Sequence, residues 1–216
     1  MNDPWLDETV VSALPDWLSD MVEAVRGITA DKLTRFLPPA SGGRPGAVLI
    51  LLGESGGRPD VLLTERSPTM RSHPGQPAFP GGAVDDADPD AVAAALREAA
   101  EETGLDPRGV VVFGTLPELW LPPSGFVVTP VMAWWSTPTP VGTGNPAEVS
   151  AVHRVGIAEL ADPDNRVLVR HPLGFEGPGF QVRGMLVWGF TAGLLSKLME
   201  EAGWARPWDP TRVVAL

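Results

Sequence analysis

Hydrophobic positions along the chain change period several times, and each change marks an element. Leu14, Trp17, Leu18, Met21, Val22 and Val25 recur at helical spacing, which predicts a short N-terminal helix over 14–25. Residues 37–46 hold too many prolines and glycines to extend it and read as a link. Two apolar β-like runs follow at 47–52 and 61–64, joined through the turn signal Ser55-Gly56-Gly57. From 67 to 88 the periodicity disappears, and Pro74-Gly75 and Pro80-Gly81-Gly82 exclude a helix or a central strand. A loop of that length inside a domain is usually functional. The clearest helix is Ala-rich and covers 90–103. Asp88 suits its N-cap, Pro89 its first position and Gly104 the residue past its end. Further β-like runs lie at 110–113, 126–134, 149–155 and 166–169, and a second apolar helix over 185–200 precedes a Trp- and Pro-bearing tail. Strands interrupted by a few helices predict a mixed α/β sandwich. The expected division is an N-terminal helical extension, 1–40, packed on a main domain, 41–216.

Composition changes this picture only at its edges. A chain of 216 residues fits one domain, and 44% hydrophobic content supplies one core. The net charge of −11 argues against a general nucleic-acid surface, which needs a basic footprint. It leaves room for an anionic ligand met through a bound cation. With no cysteine there is no disulfide, thiolate nucleophile or Cys-based zinc site. The acidic N-terminus does not look like a signal peptide, and the apolar runs are too short to span a bilayer. A soluble cytoplasmic protein without a membrane partner is expected.

The chemistry gathers on the 90–103 helix. Glu98, Glu101 and Glu102 stand at i, i+3 and i+4 and so share a face, while Val92, Leu96, Ala99 and Thr103 fall on another that can pack on a sheet. Like charges at this spacing destabilise a helix by about 0.2–0.5 kcal/mol per pair. A cation relieves that conflict, and hard oxygen ligands suit Mg²⁺ or Mn²⁺. The plain alternative is a solvated acidic face. Arg97, placed to orient a carboxylate, and the preceding Phe79-Pro80-Gly81-Gly82 loop, where bare backbone can approach a ligand, favour the metal site.

The string Gly82 … Arg97-Glu98-Ala99-Ala100-Glu101-Glu102-Thr103-Gly104-Leu105 resembles the Nudix box, matching its second half closely. Its first half is one residue longer than the general pattern, with Asp88 near the place of the usual Glu, and Ala99 is smaller than the usual apolar residue. The resemblance implies a Nudix-type α/β/α sandwich with a mixed central sheet and a catalytic helix at about 89–103. It implies metal ligation by Glu98 and Glu102, with Glu101 and the Gly81 carbonyl as further ligands. Glu98 is then the favoured general base, and Arg97 holds a catalytic glutamate in place.

Residues 62–82, from Leu62-Leu63-Thr64-Glu65-Arg66-Ser67 to Phe79-Pro80-Gly81-Gly82, resemble the segment that marks coenzyme A pyrophosphatases within that superfamily. Asp85, Asp88, the added residue, Asn145-Pro146 with Glu148-Val149, and Val187-Trp188-Gly189-Phe190-Thr191-Ala192 are similar too, whereas Pro77 departs from it. The implied reaction is hydrolysis of coenzyme A to 4′-phosphopantetheine and adenosine 3′,5′-bisphosphate. Arg66, Arg71, His73 and Gln76 are the substrate-binding candidates, because Arg grips phosphate in a bidentate way. A surface Arg pairing with Glu65 is the competing reading for the arginines, and His73 could instead brace the loop. Glu148 either supplies a late carboxylate or, the reading favoured by sequence, lies on an exposed strand. The tryptophans read as core and rim packing. Alternatives are a Nudix hydrolase for ADP-ribose, dinucleotides or nucleoside triphosphates, and a non-catalytic nucleotide-sensing module. A small-molecule substrate is the expected partner, with a homodimer left open.

Overall fold

The computed structural model describes residues 5–34, 42–70, 73–122 and 124–216, and in it the apolar runs become strands longer than their hydrophobic centres. The N-terminal part forms β1 (Trp5–Leu6), α1 (Glu8–Val11), α2 (Ser19–Gly27) and α3 (Ala30–Leu33). Then come β2 (Arg44–Ser55), β3 (Arg58–Arg66), β4 (Pro77–Ala78), β5 (Gly81–Ala83) and α4 (Ala91–Thr103). The chain continues through β6 (Val110–Thr115), β7 (Leu119–Leu121), β8 (Phe126–Trp135), β9 (Val149–Gly156) and α5 (Ile157–Ala161). It ends with β10 (Arg166–Arg170), β11 (Glu176–Val182), β12 (Met185–Val187), α6 (Gly189–Glu201) and β13 (Val213–Ala215).

Side chains of successive strand residues point to opposite faces, and here both faces are covered. On one face Ala47, Leu49 and Leu51 of β2 pack with Leu62, Val131 and Ala133 under Ala94, Ala95 and Ala99 of α4. On the other, Ile50 and Leu52 join Val61, Leu63 and Met132 beneath Met21, Val22 and Val25 of α2 and Leu194, Leu195 and Leu198 of α6. Double coverage is why β2 and β3 read as continuous apolar runs instead of alternating ones. Burying each such Leu or Val contributes about 1.5–3 kcal/mol. The result is the expected α/β/α sandwich on a mixed sheet. Its order is β1-β6-β8-β2-β3-β4, with β2 and β8 parallel and the other neighbours antiparallel. A second sheet, β12-β11-β10-β13, carries the C-terminal part.

One irregularity of the main sheet positions the site. β3 leaves β2 tightly, through the two-residue turn Gly56-Gly57, whose positive φ angles of 57° and 75° need glycine. It pairs with β2 only from Arg58 to Val61, after which the strands diverge. The gap is filled by residues 77–83: β4 pairs with Thr64 and Glu65, and β5 pairs with Gly46, Ala47 and Val48.

Several expectations shift. The N-terminal helix is an α-helix only from Ser19 to Gly27, because Pro15 caps a single 3₁₀ turn, Asp16–Leu18, ahead of it. The 37–46 link loses 44–46 to β2, and 37–41 lie outside the described residues. The 67–88 loop contains β4 and β5. The helix expected at 89–103 starts at Ala91, capped by Asp90, whose Oδ1 accepts the Ala93 N–H at 2.8 Å, and not by Asp88. Residues 185–187 are a strand, since extended Trp188 and Gly189 (φ 65°) turn the chain before α6 begins. Among the described residues no helix is long and apolar enough to cross a membrane.

Candidate active site

Gly81 and Gly82 lie where β5 presses between β2 and α4. A Cβ on Gly81 would stand 2.3 Å from the Ala47 carbonyl oxygen, and one on Gly82 would stand 2.5 Å from Oε1 of Glu98. Two bare residues therefore let the loop meet the sheet on one side and the helix carboxylate on the other.

The three glutamates of α4 are not equivalent. The side chain of Glu98 is 16% exposed and that of Glu101 59%, whereas Glu102 as a residue is 4% exposed, buried beside Ala99 and Thr103. Periodicity places the three on one arc, but the rotation of the helix against the sheet turns Glu98 and Glu102 inward and Glu101 toward water. Glu102 Oε2 accepts the Gly81 N–H at 3.1 Å. Burial pushes its carboxyl up to about 7, with that N–H and Arg66 opposing the shift and Glu98 and Glu148 adding to it. Burial also raises Glu98, against the pull of Arg97 beside it, and Glu101 and Glu148 push the same way.

Arg97 fastens the loop to the helix. Its Nε and one terminal nitrogen donate to both oxygens of Asp88, at 3.0 and 2.9 Å, and that same nitrogen also donates to the Ala83 carbonyl at 3.1 Å. The other terminal nitrogen donates to Glu98 at 3.0 Å and Glu101 at 3.4 Å. Asp88, freed from helix capping, also accepts the Asp85 N–H at 2.9 Å, and its carboxyl is held below the usual range by the Arg97 hydrogen bonds.

The substrate-binding candidates divide. Arg66, half-buried at the end of β3, lies close enough to lower the affinity of Glu102 for its proton. The loop beyond it closes on Arg66 itself: its N–H donates to the Gln76 carbonyl at 3.0 Å, and its carbonyl accepts the Gly75 N–H at 3.1 Å. His73, exposed and at φ 55°, pairs through Nδ1 with Oε1 of Gln76 at 2.9 Å, so the two brace the loop against each other. Arg71 lies outside the described residues.

Sequence reading undervalued Glu148. It is half-buried in the turn before β9, not on an exposed strand, and its charge is felt at both Glu98 and Glu102. The segment leading to it is anchored on α4. Gly142 and Gly144 donate to the Thr103 and Glu102 carbonyls at 3.0 and 2.9 Å, and the Glu148 carbonyl accepts the Ser67 N–H at 2.7 Å. The signal in the sequence for this segment was the Asn145-Pro146 with Glu148-Val149 string, whose resemblance marked it without giving its anchoring on α4.

Among the described residues no three His, Asp or Glu groups are already drawn together as a metal cage. The donors nonetheless fit a hard divalent cation. Glu98 and Glu102 offer carboxylate oxygens, both raised by burial and Glu102 also by Glu98, and the missing Cβ of Gly82 leaves space at the Glu98 carboxylate. Mg²⁺ is often held by one or two carboxylates, with water and substrate phosphates completing its shell.

Comparisons with known proteins bear on the family and the fold. The family model described as the NUDIX domain matches residues 43–172. The "Uncharacterized Nudix hydrolase NudL" of Klebsiella pneumoniae (strain 342) is 43% identical over 157 residues, covering 69% of this chain and 78% of the relative. The protein of that name from Escherichia coli (strain K12) is 40% identical over 153 residues, covering 68% and 77%. Among solved structures, the Nudix hydrolase RenU from M. smegmatis matches with a TM-score of 0.54 and 22% identity, over 78% of this chain and 91% of that one.

Proposed function

This chain belongs to the Nudix family of hydrolases, and from that premise we propose that it cleaves the pyrophosphate bond of coenzyme A, releasing 4′-phosphopantetheine and adenosine 3′,5′-bisphosphate. The observation that carries the proposal is the placement of Arg66. It heads the 67–76 loop that resembles coenzyme A pyrophosphatases, and it lies within electrostatic reach of Glu102. Arg66 thus links the loop that distinguishes the chain to the carboxylates of its Nudix box.

In this reading Glu98 and Glu102, with the Gly81 carbonyl and Glu101 as further donors, hold Mg²⁺ or Mn²⁺, which when bound neutralises pyrophosphate charge and acidifies water. Glu98 accepts the proton of the attacking water as the new P–O bond forms and the bridging P–O bond breaks. Arg97 keeps Glu98 and the 83–88 loop in fixed relation through its hydrogen bonds to both. Glu148 supplies a further carboxylate from the turn before β9. Arg66 and Arg71 meet substrate phosphates, while His73 and Gln76 hold the loop between them in shape.

Incubation with coenzyme A and Mg²⁺ or Mn²⁺, followed by mass identification of products, tests the reaction and the substrate together. Phosphopantetheine plus adenosine bisphosphate is the expected result. Turnover of ADP-ribose far above that of coenzyme A would overturn the substrate assignment, and no turnover of any pyrophosphate would leave only a sensing role.

A further inference from the structure

Several arginines in this acidic protein are matched to acids. Arg26, Arg97, Arg108, Arg154, Arg170 and Arg183 each form an ion pair. Arg44 differs. It is exposed at the start of β2, and its guanidinium has no hydrogen-bond or ion-pair partner among the described residues. It lies instead over the ring of Phe126, its register neighbour on β8, 4.6 Å from the centroid. Stacking occupies the flat face of a guanidinium and leaves its in-plane N–H groups free, in the arrangement that grips a phosphate in bidentate fashion.

This cation stands next to the catalytic loop. Two residues along β2, Gly46 pairs with Ala83 of β5. A Cβ on Gly46 would lie 2.9 Å from the Phe126 ring and 3.0 Å from the Gly82 carbonyl oxygen. A side chain at 46 would collide with both the Phe126 ring and Gly82, so the bare backbone of Gly46 lies between the Arg44–Phe126 pair and the loop whose Gly82 meets Glu98. Arg66 at the end of β3 and Arg44 at the start of β2 are thus placed on the two strands that diverge around this loop.

We propose that Arg44, held flat by Phe126, binds a phosphate of the substrate other than the pyrophosphate under attack, the ribose 3′-phosphate of a nucleotide. The assignment rests on the coenzyme A reading, in which the substrate carries such a group. An Arg–phosphate pair contributes on the order of tenfold or more to affinity, because charged hydrogen bonds are the stronger kind.

The test compares kcat/KM for coenzyme A and for its 3′-dephospho form with Mg²⁺, in the wild-type chain, Arg44→Ala and Arg44→Lys, with melting curves confirming that each variant folds. Wild-type protein is expected to favour the phosphorylated form by about tenfold. Arg44→Ala should erase that preference through KM, and Arg44→Lys should keep part of it, since a point charge remains but the fork is lost. A preference that survives Arg44→Ala, or a wild-type enzyme that cleaves both forms equally, overturns the assignment while leaving the pyrophosphatase reading intact. A wild-type chain that cleaves neither overturns the reading itself.

Discussion

Replacing Glu102 by Gln keeps an oxygen for the Gly81 N–H and removes a charge that burial disfavours. Turnover should fall by at least about 10²-fold if Glu102 is one of the proposed metal ligands, while the melting temperature measured without metal stays level or rises. The pH dependence separates this variant further. The Glu102 carboxyl is raised from 4.5 to about 7, so the folded protein holds its proton more tightly than the unfolded chain does. That stabilisation is complete below pH 4.5 and is lost as pH rises through about 7. In EDTA the wild-type melting temperature should decline across this window relative to Glu102→Gln, and a constant difference between the two would contradict it. The neighbouring glycines give a contrasting pair. An Ala at 82 meets the far end of the Glu98 side chain, which can swing aside, so the fold survives while activity drops about 10²-fold. An Ala at 81 meets backbone at 2.3 and 2.7 Å from a φ of 156°, so stability falls by about 1–3 kcal/mol. Sequence alone identified these glycines and glutamates as a group. Periodicity could not rank Glu98, Glu101 and Glu102, since it gives angles within a helix and not the rotation of the helix on its sheet; the ranking of Glu98 and Glu102 over Glu101 came from the family resemblance alone.

At the scale of elements, the site depends on how the 83–88 loop is attached to α4, and that attachment is Arg97. Lys at 97 keeps one charge but cannot span Asp88, Ala83 and Glu98 together, as the guanidinium does. Arg97→Lys is expected to lower kcat by about 10- to 100-fold with little change in KM for coenzyme A. Asp88→Asn should move kcat in the same direction, and the double variant should lose much less than the product of the two effects, since both break one connection. Multiplicative losses would mean that Asp88 acts apart from Arg97. The role of Asp88 was hidden in the sequence because Asp-Pro before a helix is also a good start signal. Two residues on, Asp90 takes the cap and leaves Asp88 to the arginine. The central strands were legible because both faces are buried and their apolar runs are unbroken. β4, β5, β12 and β13 were not, being two or three residues long. Such strands exist because a neighbour offers them a partner, which local pattern does not record.

Across the whole molecule, we regard residues 1–40 as an N-terminal extension to the main domain, yet its helix is built into the shared core. Leu18, Met21, Val22, Val25 and Ile28 belong to the same cluster as Leu194, Leu195 and Leu198 of α6 and the underside of β2 and β3. The opposite face of the sheet carries α4 and the site residues, packed through a separate cluster of small alanines and β-strand side chains. Two cores separated by one sheet allow stability and chemistry to be perturbed independently. Leu18 is fully buried, and Leu18→Ala removes three carbon atoms from the cluster that lacks the site. The expected cost is about 2–5 kcal/mol. For a chain of this size that lowers the melting temperature by roughly 4–20 °C, at about 2–4 °C per kcal/mol. Measured well below that temperature, kcat/KM for coenzyme A should match the wild type, because β2 transmits no displacement to Gly81, Gly82 or α4 if the sheet stays whole. A drop in kcat at full folding, followed by circular dichroism in the same samples, would show instead that the helix side of the sheet sets the geometry of the site.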